Sequence, residues 1–194
     1  MGKWVVKLFS EIETCQRCEL YHNQKPLLDK VRNADIMFVG ISAKSVHDKN
    51  EIPLDVQTRS GKIISLLEGR ALEKGYSVYR TNLVKCVPLN PAGKIRYPNK
   101  EEIAACINNF IIEYESIKPQ LVVVLGSQVQ VAIEKYFNVK FQKAKDCEFV
   151  IQKVDKYTFV LCYHPSYIVR YKSKLESYLN NFIKMLNQYQ EEMR

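Results

Sequence analysis

The chain has 194 residues, 46% of them hydrophobic and 26% charged, with 29 Lys+Arg against 21 Asp+Glu and a formal charge of +8. This composition excludes a disordered, a fibrous or a membrane-spanning chain: apolar content is ordinary, Gly and Pro number seven each, and no apolar run is bilayer-length. The length suits one domain over residues 1–194, and the cation excess fits nucleic acid as readily as a lysine-rich background.

Residues 4–14 read as a short helix leading into the turn Cys15-x2-Cys18. Ile36 to Ile41 is a short apolar run containing Gly40, the pattern of a buried strand that ends in a functional loop. Ser60 to Gly75 is predicted helical, with Ser60 as cap and Ile63, Ile64, Leu66, Leu67 and Leu72 as its apolar face. Ser77 to Val84 is the next strand. From Asn99 a polar cap, an acidic first turn and a stop before Pro119 predict a long helix. Leu121 to Gly126 is a fully apolar strand, followed by a helix from Ser127. Two later β segments flank a turn at Lys153–Lys156, and a last helix runs from about Lys172 to Met193.

Strands that alternate with crossover helices imply an α/β fold, a three-layer α/β/α sandwich around a mainly parallel sheet of about four strands. In such sheets, functional loops lie beyond the carboxyl ends of the strands. Here those ends are Ile41–Ser42, Asn82–Lys85, Gly126–Ser127 and Tyr163–His164.

The six cysteines divide by context. The N-terminal stretch has no secretory signal, which points to the reducing cytoplasm and away from disulfides. Cys15 and Cys18 share one turn, Cys86 follows a strand, and Cys106 lies on a helix. Four soft ligands can close around zinc or an iron–sulfur cluster, and a redox pair beside two buried cysteines would leave the same trace. Cys162 sits in an apolar strand and reads as a small hydrophobe. Cys147 has no assigned role.

Several segments, in order, resemble the iron–sulfur uracil-DNA glycosylases usually called family 4, from Cys15 to Arg170. Cys15-x2-Cys18 matches the family's first ligand pair, Thr81-Asn82-Leu83-Val84-Lys85-Cys86-Val87-Pro88 its T-N-[LV]-V-K-C-x-P segment, and Glu101 to Cys106 its E-E-I-x-x-C helix. His164-Pro165-Ser166 matches the second active-site motif. The resemblance implies a structural 4Fe–4S cluster on Cys15, Cys18, Cys86 and Cys106. It departs at the first active-site motif, G-E-A-P-G in the family and Gly40-Ile41-Ser42-Ala43-Lys44 here. Ile41 thus replaces the carboxylate that assists catalysis. Counting onward, Asp48 falls on an acidic position of the family, and Leu54 stands where it stacks a Phe on the base.

Base excision needs an extruded base, a pocket for its edge and stabilisation of developing charge. Gly40, Ile41, Leu54 and Asn82 are the expected base pocket, Asn82 supplying an amide donor and acceptor. His164 is the expected hydrogen-bond donor to the base oxygen. Asp48 or Ser42 would handle water, and Lys44 allows a lyase route through an amine nucleophile. For DNA contact the candidates are Lys94, Arg96, Ser166, Arg170 and Lys172, with Ile168 or Val169 as a wedge into the stack. The function expected is excision of uracil or another deaminated base from single- or double-stranded DNA by a monomer with no membrane association. A catalytically impaired DNA-binding protein on the same scaffold is the alternative, and a nucleotide- or RNA-directed enzyme is a third.

Overall fold

The computed structural model describes residues 3–48 and 50–193, with side chains from residue 8 onward. Helix α1 (Lys3–Glu13) precedes β1 (Ile36–Ser42), α2 (Arg59–Glu73), β2 (Val78–Val84), α3 (Lys100–Ile117), β3 (Leu121–Leu125) and α4 (Ser127–Phe137). Then come β4 (Val150–Val154), β5 (Tyr157–Cys162), a short α5 (Pro165–Arg170) and α6 (Leu175–Glu192). The strands form one sheet in the order β2-β1-β3-β5-β4, parallel except for β4, which pairs antiparallel with β5. The fold is therefore the expected α/β one, with five strands. The fifth is the hairpin partner at the edge, turned through Asp155 and Lys156.

Alternation along the strands feeds two cores. Ile36, Phe38, Val123 and Val160 face Ile64, Leu67, Phe182 and Leu186 of α2 and α6. Met37, Val39, Val122, Val124 and Leu161 face Phe110, Ile117, Val129 and Ile133 of α3 and α4. Burial on both faces explains why β1 and β3 are unbroken apolar runs.

Two helix details differ from the sequence pattern. The cap of α2 is Thr58, whose Oγ1 accepts the Gly61 N–H at 2.8 Å, so the helix starts before Ser60. Its buried stripe is Ile63, Ile64, Leu67 and Ala71, whereas Leu66 and Leu72 are 45% and 57% exposed. Spacing of one, four and eight residues keeps a side chain on one helix face; Leu66 and Leu72 fall off it. Helix α3 begins with a full capping box between Asn99 and Glu102 and ends at Lys118, before Pro119.

Strand β2 is buried throughout despite its polar residues. Arg80 is absorbed by an ion pair with Glu68 and by hydrogen bonds to the Leu54 carbonyl and Ser65 Oγ, each 3.0 Å. Just beyond the strand, Lys85 is wholly buried and pairs with equally buried Glu113 of α3. Its ammonium also donates to Thr81 Oγ1 at 2.8 Å and to the Asn82 carbonyl at 2.5 Å, occupying all three protons. Glu113 accepts in addition from the Tyr79 hydroxyl at 2.8 Å and the Thr81 hydroxyl. Desolvating each ion costs several kcal/mol, which only such complete pairing offsets. Glu113→Gln leaves the Lys85 charge uncompensated and should lower unfolding free energy by about 3–5 kcal/mol in urea titration. A loss below about 1 kcal/mol would show that the pair is not holding β2 to α3.

Candidate active site

The carboxyl ends of β1, β3 and β5 open onto one cleft. Ile41, Ser42, Arg96, His164 and Ser166 line it, joined by Ile95, Tyr97, Gly126 and Ser127. Gly126 is needed twice over: its φ is +89°, and an added Cβ would lie 2.7 Å from the His164 Cβ. A second groove leaves the far side of Gly126 and His164 towards the exposed Lys140 and Lys143.

His164 caps α5. Its Nδ1 accepts the Ser166 N–H at 3.1 Å and lies 2.8 Å from Ser166 Oγ. An accepting Nδ1 leaves the proton of the neutral ring on Nε2, which becomes a donor. Burial lowers the imidazole pKa, favouring that neutral form. The neutral ring's stabilising contribution is present above the unfolded value near 6.5 and is lost as pH falls through the folded value. NMR titration of His164 should give a midpoint below 6.5 with Nε2 protonated above it; a midpoint above 6.5 would remove this assignment.

Gly40 and Asn82 are partners across the β1–β2 ladder. A Cβ on Gly40 would meet Asn82 Oδ1 at 2.3 Å and Leu54 Cδ2 at 3.0 Å, so the three candidates sit together. Asn82 is 3% exposed. Its backbone carbonyl accepts from Lys85, while its side-chain amide has no partner among the described residues. That amide is therefore free to take a ligand's donor and acceptor, although Ser116 Oγ and not Asn82 is the fully buried unpartnered side-chain atom among the described residues. Leu54 holds a left-handed backbone, φ 56°, which turns the chain over this spot.

Other expectations are corrected by position. Asp48 is exposed, and its Oδ1 accepts the Asn50 N–H at 2.8 Å, so it stabilises a turn outside the cleft. Lys44 is held by Glu51, which also takes the N–H groups of His47 and Asp48 at 2.7 and 2.9 Å. The Lys44 ammonium and those N–H groups bring the Glu51 carboxyl down to about 2, and Lys44 is thereby committed to an ion pair. Ile168 is 1% exposed and packs in the core beneath α2 and α6, so it cannot enter a base stack. Val169 is half-buried against the same core. Arg96 is paired bidentately with Glu102, 2.8 and 2.5 Å, and braces its own loop instead of offering a free cation. Lys94, Arg170 and Lys172 are exposed and form no salt bridge among the described residues. Ser166 is also exposed, and its hydrogen bonds position His164.

Cys15, Cys18, Cys86 and Cys106 line one small cavity beside Arg17, Lys85 and Asn109. Asn109 Nδ2 approaches the Cys15 and Cys106 sulfurs at 3.6 and 3.5 Å. Arg17 Nε and the Lys85 N–H reach Cys15 and Cys106 at 3.3 and 3.4 Å. Burial and the charge of the other three thiols push Cys86 up to about 12. Burial also raises Cys18, whereas in Cys15 it is outweighed by donation from Arg17 and Asn109 and the thiol falls. Among the described residues no group of three or more His, Cys, Asp or Glu side chains is disposed to hold a metal ion. Cys162 is buried, as its strand implies, and Cys147 is buried near α6 with φ 54°.

The molecule is thus a doubly covered α/β sheet with a cleft bearing His164 at its strand ends and a separate four-thiol cavity. A family model described as the uracil DNA glycosylase superfamily matches residues 28–190, and the chain belongs to that superfamily. It is similar to the type-4 uracil-DNA glycosylase of Archaeoglobus fulgidus, 25% identical over 90% of this chain and 88% of that protein. The type-4 enzymes of Thermotoga maritima and Saccharolobus solfataricus are 28% and 31% identical. The first alignment covers 87% of this chain and 85% of the relative, the second 68% and 60%.

Proposed function

We propose that the protein is a DNA glycosylase that extrudes uracil or another deaminated base from DNA and hydrolyses its N-glycosidic bond, leaving an abasic site. The observation that carries this reading is a neutral His164 donor in the cleft at the strand ends, with Asn82 towards the same end of the sheet on β2, separated from β5 by β1 and β3, its side-chain amide without a partner among the described residues. The type-4 names of its relatives point the same way.

In this reaction Asn82 holds the Watson–Crick edge of the base, packed between the bare Gly40 and Leu54. As the bond from C1′ to the base nitrogen breaks, its electron pair moves onto the base. The His164 Nε2–H stabilises the resulting charge on the base oxygen, and water then adds to C1′. Ser42 is the polar side chain of the old carboxylate motif that still lines the cleft. Lys44 is ion-paired with Glu51 and is not the free amine that a lyase route through it would need, which supports a monofunctional enzyme. Lys94, Arg170 and Lys172 supply exposed charge for phosphates.

On the same reading Cys15, Cys18, Cys86 and Cys106 hold a 4Fe–4S cluster. The donor set fits: four thiols share one cavity, their mutual repulsion calls for cationic compensation, and three N–H donors point at the sulfurs. Such a group braces the segments after β2 and at the start of α3. Protein purified without oxygen should show broad visible absorption with iron and sulfide in equal amounts; zinc alone would refute the cluster.

A second reading, a DNA-binding protein with impaired catalysis, is favoured by one observation: Ile41 puts an apolar side chain into the cleft. Single- and double-stranded oligonucleotides carrying uracil, hypoxanthine or xanthine, treated with excess protein and then alkali, separate the two. Strand cleavage at the modified base is expected, slowed about 10²–10³-fold by His164→Ala, the usual cost of losing one such donor. Intact DNA binding without any cleavage would establish the second reading instead.

A further inference from the structure

Ile168 is buried, so the side chain that fills the gap left by an extruded base must come from elsewhere. One segment carries large apolar groups in the open beside the cleft. Between Leu89 and Tyr97 the chain forms a small hairpin arm, closed by the Leu89–Ile95 bridge and a turn in which Asn90 Oδ1 accepts the Ala92 and Lys94 N–H groups at 3.0 and 2.9 Å. Ile95 is 56% exposed and Tyr97 70% exposed, and both line the cleft that holds His164.

The arm is stiffened from within. Arg96, between the two, donates to the Leu89 and Tyr97 carbonyls at 3.1 and 2.9 Å while gripping Glu102 of α3. Neighbouring Pro98 is buried. Apolar side chains held outward on a rigid support have already met the ordering cost of binding. Their surroundings select the occupant: Lys94 and Lys100 are exposed on the same stretch, with Arg170 and Lys172 exposed on the α5 side. A stacked, polyanionic duplex meets both requirements.

We propose that the Leu89–Tyr97 arm is the wedge of this protein, with Tyr97 and Ile95 entering the base stack at the extruded nucleotide. This rests on the reading that the protein acts on DNA by base extrusion. Tyr97 offers a ring to an unstacked neighbouring base, and Ile95 fills the space beside it. Holding a base out of a duplex requires such filling, whereas a single strand has no stack to replace.

The test uses a duplex with 2-aminopurine beside 2′-fluoro-deoxyuridine, which resists cleavage, together with excision of uracil from single- and double-stranded oligonucleotides. Wild type should raise 2-aminopurine fluorescence on binding. Tyr97→Ala and Ile95→Ala should abolish most of that rise and slow duplex excision by about tenfold. Single-stranded excision should change less than about threefold, and Tyr97→Phe should behave as wild type on every substrate. An undiminished rise in both Ala variants overturns the wedge, as does equal slowing on both substrates or no rise with wild type. A wild-type rise that Tyr97→Ala removes, without excision from any substrate, upholds the wedge and refutes the glycosylase reading instead.

Discussion

The Lys85–Glu113 pair is the constraint on which the arrangement of the site depends. Strand β2 brings Asn82 against Gly40 and Leu54, and the residue after Lys85 is Cys86. Helix α3 brings Cys106 and Asn109 to the thiol cavity. One ammonium, three residues beyond Asn82, bonds the Asn82 carbonyl, the Thr81 hydroxyl and a carboxylate of α3 at once. A hydrophobic pair of similar volume would pack the same space at lower desolvation cost. It would leave the placement of β2 against α3 to packing alone, without the added direction that these bonds supply. The polar knot therefore links two places that are separate in space: Asn82 at the end of β2 and the thiol cavity beside α3.

The other half of the site is fixed by backbone economy. Gly126 lets the end of β3 approach His164 closely enough that any Cβ would collide, and the His164 ring is turned by the N–H of the helix it caps. Capping satisfies a helix-end donor and selects the tautomer in one contact. Position and proton placement thus follow from a single local structure, the start of α5, while burial of the ring lowers its pKa.

Much of this was legible in the sequence because it is locally encoded. β1 and β3 announce themselves as apolar runs, the Asn99–Glu102 capping box by spacing, and the strand ends by where the runs stop. Gly40, Asn82 and Leu54 meet as the motif order implied. The expectations that moved did so for reasons of three dimensions. Arg96 reads as a phosphate ligand until Glu102, six residues on, is seen folded back against it. Ile168 reads as an exposed wedge until α2 and α6 cover it. Asp48 and Glu51 are both acidic and three residues apart, and only the turn between them decides that Glu51 holds Lys44 while Asp48 faces water. The arm bearing Ile95 and Tyr97 had a signal, the Asn-Pro-Ala-Gly turn between short β stretches, but no local rule says which cleft it overhangs.

Replacement of the motif carboxylate by Ile41 shifts the chemical burden in a definite direction. Hydrolysis of an N-glycoside asks for stabilisation of the departing base and for a nucleophilic water. Once the bond has largely broken, the sugar cation reacts readily with weakly activated water, so the second requirement is the more dispensable. On the proposed reading the residues kept here serve the first: Asn82 for the base edge and a His164 donor whose tautomer is set by Ser166. Such a site is matched to bases that leave readily as anions, as deaminated bases do better than their amino parents. Loss of the carboxylate then narrows the reaction towards leaving-group stabilisation, with Ser42 remaining as the polar group of that motif in the cleft.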